Sequence, residues 1–179
     1  ELAGEFGKYI HTEEQAYRCG FMHDGGKYSK EFAAYLHGAK IHVDHSTAGA
    51  LEAKKRRDIA AAFAIAGHHA GLPNGGSRAD KGGTLNGRLS AKPGIDIPDY
   101  REFLRQVEIP DVPIRTFLRT ETLEAVFFTR MLYSCLVDAD WLDTEKFMSG
   151  GTVHREPGVE LSELQRRLDA YTDGWKNPK

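Results

Sequence analysis

The stretch "IAAAFAIAGHHAGL", residues 59–72, decides the fold. Its first eight residues are apolar and rich in alanine, which favours a helix. Gly67 and Gly71 then bracket two adjacent histidines, His68 and His69. Successive residues on a helix point about 100° apart, so the pair cannot share one buried face of a regular helix. Either the two are solvated residues at a helix end, or the helix stops here so that both imidazoles turn toward one ligand.

Outward from this segment the pattern stays helical. Leu2, Phe6 and Ile10 repeat every four residues in a stripe that the N-terminus cuts short, and the chain opens on Glu1 without a methionine, so it is expected to be a fragment. Thr12 before Glu13 and Glu14 predicts the start of a helix running to about Phe21. Ser29 predicts the cap of the next, which carries Phe32, Ala33, Tyr35 and Leu36. Residues 46–67 read as one or two helices. The longest helical signal runs from Pro113 to Met148, with Pro113 in its first turn. Leu161, Leu164 and Leu168 predict a last amphipathic helix. Glycines, prolines and polar residues fill 71–99, a long loop of the kind that is usually functional or disordered. Beyond "KIHV" (40–43) there is little β signal. The expectation is an all-α fold, one compact domain over residues 1–172, with the long loop following the histidine pair.

Composition narrows the function. A chain of 179 residues suits one domain, and 40% hydrophobic with 28% charged residues is the profile of a soluble globular protein. A net charge of −2 excludes nucleic-acid binding by bulk charge, so any such role must rest on a local site. Cys19 and Cys135 lie far apart in apolar surroundings and read as buried free thiols of a reducing compartment. No apolar run approaches the ~18 residues of a membrane span, and no signal peptide is visible. The reading is therefore cytoplasmic, with no membrane partner; nothing in the sequence suggests an obligate dimer, so a monomer is the expectation.

The chemistry-bearing residues cluster at predicted helix ends. "FMHDGGK" sets His23 beside Asp24 at one end, where Gly25 and Gly26 permit a sharp turn. "DHSTAGA" begins the following helix with His45, and "AGHHAG" ends the next with His68 and His69. "LVDADWLDTE" puts Asp138, Asp140 and Asp143 inside an otherwise apolar helix, where an unpartnered carboxylate would cost several kcal/mol. Neutral imidazoles suit borderline divalent metals, and a carboxylate can bridge two ions. Two metals ~3.5–4 Å apart can activate a water and stabilise the leaving oxygen of a phosphodiester.

The order His–Asp, His, His–His, Asp resembles the HD superfamily of metal-dependent phosphohydrolases. The variant is similar to the nuclease domain of the CRISPR-associated helicase–nuclease of type I systems. "HDGGKYSKEF", "DHSTAGA", "AGHHAGLPNGG" and "SCLVDADWLDTE" carry the resemblance across residues 21–145, and "DGWKNPK" (173–179) resembles the start of the linker into a helicase. The resemblance implies a helical HD fold and divalent-metal-dependent cleavage of single-stranded DNA in antiviral defence. By it, His23 and Asp24 belong to a first metal, with Asp24 bridging, and His45, His68 and His69 complete a second. The superfamily's "AD" ending favours Asp140 as the last ligand. Helical spacing leaves Asp138 open, one turn beyond Ser134. Lys27 matches the lysine of the HD-x-G-K pattern and would contact a phosphate or stabilise developing charge alongside Asp24.

The implied cofactors are two divalent ions, Mn²⁺, Ni²⁺, Co²⁺, Fe²⁺ or Zn²⁺, with Mg²⁺ less suited to a histidine-rich set. The implied partners are single-stranded DNA, a helicase domain of the same polypeptide and an RNA-guided surveillance complex. No "GxxxxGK[ST]" phosphate loop is present, so neither ATP binding nor hydrolysis is expected. The family's metal-binding histidine upstream of the HD pair is missing, since His11 is too close to Asp24. The first site would then be short of a ligand. Two rival readings follow: an HD-type phosphohydrolase of nucleotides, and a catalytically impaired HD docking module. Outside the motifs, His42 reads as a support or surface residue. His11, His37 and His154 read as surface, and "KKRR" (54–57) as a solvated helix face.

Overall fold

The computed structural model describes residues 1–90, 96–117, 119, 122–151, 153 and 158–175. Among them the fold is all-α, with no strand. The helices are α1 (Leu2–Gly7), α2 (Glu13–Met22), α3 (Lys30–Leu36), α4 (Ser46–Lys55), α5 (Ile59–Gly67), α6 (Leu85–Arg88), α7 (Arg101–Gln106), α8 (Leu123–Met148) and α9 (Leu161–Asp173). The chain divides into two compact units, Glu1–Thr144 and Glu145–Lys179. The first holds every candidate site residue; the second holds the last turn of α8 and α9. Among the described residues no helix is long and apolar enough to cross a membrane.

The core of the first unit is built from small residues. Ala16, Cys19 and Met22 of α2, Ala50 and Ala53 of α4, and Ala61, Ala62, Ala64 and Ile65 of α5 meet Phe128, Leu132 and Leu136 of α8. Alanine lets helices approach closely, and at one point even alanine is too large. A Cβ on Gly49 of α4 would stand 2.1 Å from the Met22 carbonyl oxygen, the last residue of α2. That contact brings the end of α2 beside the start of α4. Cys19 and Cys135 are buried free thiols, as expected.

Several predicted boundaries move. Residues 46–67 form two helices, because Asp58 caps α5 by accepting a hydrogen bond from the Ala61 N–H, after Arg57 turns the chain with a φ of 62°. Ser29 caps α3 as expected, accepting from the Phe32 N–H. Thr12 precedes α2 as expected, but its hydroxyl donates to the Gln15 side chain and caps nothing. Helix α8 starts at Leu123, ten residues later than Pro113 suggests, with the Thr122 hydroxyl accepting from the Ala125 N–H. The preceding segment is tied across the unit: the Arg115 N–H donates to the Gln15 side chain, and Phe117 packs on Phe128 at 5.4 Å between ring centroids. The loop after the histidine pair is also less plain than its composition. It contains α6, capped by Thr84, and buries Leu85 and Leu89 in the core.

Candidate metal centre

Three helix ends and the middle of a fourth helix converge on one place. His23 is the residue after α2, His45 precedes α4, His68 follows α5, and Asp140 lies within α8. Asp24 opens a 3-10 turn over Gly25–Tyr28. Neither Gly25 nor Gly26 has a positive φ, so the turn itself does not require glycine. Space does: a Cβ on Gly26 would stand 2.3 Å from the His45 carbonyl oxygen.

His23 and His68 share a local device. Each donates its Nδ1–H to the carbonyl three residues back, Gly20 at 2.6 Å and Ile65 at 2.7 Å. A carbonyl can only accept, so the proton sits on Nδ1 and Nε2 faces the cluster. His23 Nε2 lies 3.2 Å from Asp24 Oδ2 and 3.6 Å from Asp140 Oδ1. Asp24 Oδ1 lies 3.6 Å from His45 Nε2 and 3.9 Å from His68 Nε2. His45 Nε2 and His69 Nε2 stand 2.7 Å apart, a spacing that needs either a shared proton or a cation.

The ligand atoms fall into two groups that could each hold a metal ion: Asp24, His45, His68 and His69, and His23, His68 and Asp140. His68 belongs to both, whereas the sequence reading assigned it to one ion. Asp24 turns one oxygen toward each group, with His23 facing its Oδ2 and His45 its Oδ1.

Whether these residues fit a cation is tested by what they lack. His23 Nε2, Asp24 Oδ1 and His68 Nε2 are out of solvent and have no hydrogen-bond partner among the described residues. Buried polar atoms without partners are rare, and these three, divided between the two groups that His68 joins, fit sites able to hold a cation. Electrostatics agree. Burial alone would lower the His23 pKa, but the Asp140 and Asp24 carboxylates outweigh it and hold it up at about 10. Burial would raise the Asp24 carboxyl, yet His23 and Lys27 hold it well below the usual carboxylate range. Asp140 is held low by His23. His68, under burial and next to His23 and His69, is pushed down to about 4, and burial lowers His45. Both carboxylates are thus ionised while His45 and His68 are held toward the neutral form, the protonation states of metal ligands, and a proton on His23 would compete with a divalent ion for the same lone pair.

Lys27 Nζ pairs with Asp24 Oδ2 at 2.6 Å and remains partly exposed. Asp138, left open beside Asp140, points elsewhere: it is exposed and accepts from the Ser134 hydroxyl at 3.4 Å. His11, His37 and His42 are exposed and stand outside both groups, and His154 lies outside the described residues. Of "KKRR", Lys54 donates to the Leu89 carbonyl, while Lys55 and Arg56 pair with Glu52.

Sequence reading missed Arg88. From the loop after the histidine pair, its guanidinium donates to Asp44 Oδ2 at 2.8 Å, Ser46 Oγ at 3.0 Å, Thr47 Oγ1 at 3.1 Å and the Ala66 carbonyl at 2.6 Å. It therefore ties the start of α4, which carries His45, to the end of α5, which carries His68 and His69. Burial would raise the Asp44 carboxyl, but the Thr47 N–H and Arg88 hold it low. The signal available was the pair Leu85 and Leu89, four residues apart in an otherwise polar loop. No family model matches the chain, and neither does any curated protein or solved structure.

Proposed function

We propose that the chain is a divalent-metal-dependent phosphodiesterase of the HD type, a nuclease that cuts single-stranded DNA. The observation that carries the reading is the set of three buried, unpartnered ligand atoms at the point where two metal-capable groups share His68. Asp24, His45, His68 and His69 would hold one ion, and His23, His68 and Asp140 a second. When bound, such ions supply Lewis acidity toward a phosphodiester and a water of lowered pKa. The histidine-rich donor set suits Mn²⁺, Ni²⁺, Co²⁺, Fe²⁺ or Zn²⁺ better than Mg²⁺.

The chain's own residues prepare the substrate end. Lys27, held by Asp24 and partly exposed, places an ammonium where a non-bridging phosphate oxygen would lie. Asp24 orients that ammonium and turns its second oxygen toward His45. His69, exposed at the mouth of the cluster, meets an incoming strand first. By the resemblance of its four motifs, the domain works in the cytoplasm beside a helicase that an RNA-guided complex recruits and that feeds it a displaced strand.

The test is cleavage of circular single-stranded DNA in Mn²⁺ or Ni²⁺, with EDTA and His69→Ala as controls and ion binding measured in parallel. Cutting that needs the ion and is lost in the variant is expected, with no ATPase activity. A chain that binds the ion and cuts no DNA overturns the nuclease reading. Hydrolysis of mononucleotides instead would make it a nucleotide phosphohydrolase, and DNA binding with no hydrolysis of either would make it a docking module.

A further inference from the structure

Helix α3 lies next to the metal centre and contains no buried residue. Seven-residue helices are marginal on their own and normally persist by burying an apolar face. This one leaves aromatic rings in solvent: Tyr35 is 50% exposed and Tyr28, in the preceding turn, 44%. Phe32 and Tyr35 are three residues apart on α3 and so lie on one face, while the Tyr28 ring packs on Phe103 at 5.3 Å. Phe32 and Tyr35 have ring centroids 5.8 Å apart, and the Phe32 ring meets His45 edge-on at 5.4 Å. Lys27, whose ammonium pairs with Asp24, also stands 5.9 Å from the Phe32 ring centroid. The row of rings thus starts at the metal centre and runs outward along α3.

Charge selects the occupant. Residues 27–43 carry three lysines, Lys27, Lys30 and Lys40, against one acid, Glu31, in a chain of net charge −2. Exposed rings flanked by lysines are the usual means of gripping a single nucleic-acid strand, with bases stacked on rings and phosphates matched by cations. Every base has a flat π-face, so such a grip tolerates any sequence. A paired duplex keeps its bases stacked on one another and offers no free face.

We infer that Phe32 and Tyr35 of α3, with the flanking lysines, form a base-stacking shelf that holds single-stranded nucleic acid beside the metal centre. Phe32 would take the base next to the phosphate at His45, and Tyr35 the base beyond it. The inference deepens the nuclease reading and rests on it for the direction of the strand.

The test measures binding of a fluorescent twenty-nucleotide oligothymidylate in EDTA, where no cutting occurs. An abasic strand of equal length and a duplex serve as comparisons, with Tyr35→Ala and Tyr35→Trp as variants. Because the Tyr35 side chain makes no hydrogen bond among the described residues and lies half in solvent, the alanine variant is expected to fold, which circular dichroism checks. Oligothymidylate should bind more tightly than either comparison. Tyr35→Ala should weaken it about tenfold, leave the abasic strand unchanged, and be rescued by Tyr35→Trp.

Equal affinity for oligothymidylate and the abasic strand, or no effect of Tyr35→Ala, would overturn the shelf. So would self-association lost in Tyr35→Ala with oligonucleotide binding unchanged, which would give the face to a second copy. Metal-dependent cleavage by the wild-type chain is read separately. Base-dependent binding without cleavage would keep the shelf and sink the nuclease reading, and cleavage without base-dependent binding would do the reverse.

Discussion

Helices α2 and α5 meet in two buried polar clusters, one near each end, and the two differ in kind. At the first, Arg18 donates to Asp58 Oδ2 at 2.8 Å, while Gln15 and the Ala61 N–H donate to Asp58 Oδ1 at 2.8 and 3.1 Å. Both carboxylate oxygens are satisfied, and only Arg18 Nε lacks a partner. At the second, His23 and His68 face each other across Asp24 and Asp140, and three ligand atoms lack partners. The same small-residue packing thus supports a cluster closed but for Arg18 Nε and an open one able to hold a cation. The closed cluster holds the fold together, and the open one is where chemistry is expected.

The largest expected effect breaks the closed cluster. Asp58→Ala strands Arg18, which is 1% exposed, and removes the cap of α5. Losing one partner of a buried ion pair costs roughly 3–5 kcal/mol, to be read from urea unfolding in EDTA. The open cluster should respond the other way. His68→Ala removes the ligand that both groups share, so Mn²⁺ affinity by calorimetry should fall by about a hundredfold or more. Its metal-free stability should change less than that of Asp58→Ala, because the ring gives up one neutral hydrogen bond, to the Ile65 carbonyl, and leaves no buried charge unpaired. If His68→Ala unfolds the chain as readily as Asp58→Ala and spares Mn²⁺ affinity, the distinction between the clusters fails.

The open cluster was more legible in sequence than the scaffold that orients it. Two adjacent histidines can turn toward one ligand where an alanine-rich helix stops, and α5 stops at Gly67 with the two rings 3.9 Å apart; a His–Asp pair at the end of a helix likewise marks a turn. Such local geometry survives folding. Helix α8 was misread at its start because Pro113 is as compatible with an extended segment as with a first helical turn. What decides is a contact 100 residues away, between the Arg115 N–H and Gln15. Arg88 was missed for a related reason. It sits on a four-residue helix too short to show periodicity, and its partners Asp44, Ser46, Thr47 and Ala66 are all more than twenty residues distant in sequence. Both Asp138 and Asp140 read as carboxylates in an apolar helix; only the resemblance favoured Asp140, and it is Asp140 that reaches His23 while Asp138 accepts from Ser134.

Arg88 closes a hydrogen-bonded knot beside the open cluster, joining the side chains of Asp44, Ser46 and Thr47, which flank His45, to the Ala66 carbonyl, two residues before His68. Arg88→Ala should weaken Mn²⁺ binding by about 10–100-fold, the usual cost of losing a group that orients ligands. Far-ultraviolet circular dichroism should still show a helical chain, and Arg88→Lys should recover little, because one ammonium cannot replace a planar fork with four acceptors. Undiminished Mn²⁺ affinity in Arg88→Ala would show that His45 and His68 hold their positions without the knot.

The smallest expected effect belongs to a second closed cluster, on α4. Glu52 is 3% exposed and accepts from Lys55 at 2.5 Å, Arg56 at 2.8 Å and the Tyr100 hydroxyl at 3.1 Å. Burial would raise its carboxyl, but Lys55 and Arg56 hold it below the ordinary value of 4.5. With the folded pKa lowered, the unfolded chain takes up the proton first as the pH falls. Glu52 therefore stabilises the fold fully above pH 4.5, and that contribution fades as the pH drops from there through the lowered folded value. Glu52→Gln should be slightly less stable at neutral pH and should flatten the acid arm of the stability curve measured by urea unfolding in EDTA. An acid arm as steep in Glu52→Gln as in the parent chain would mean that the carboxyl gains nothing from Lys55 and Arg56. The cluster would then be closed in geometry without being closed in energy, and hydrogen-bond satisfaction alone would no longer tell the two kinds of cluster apart.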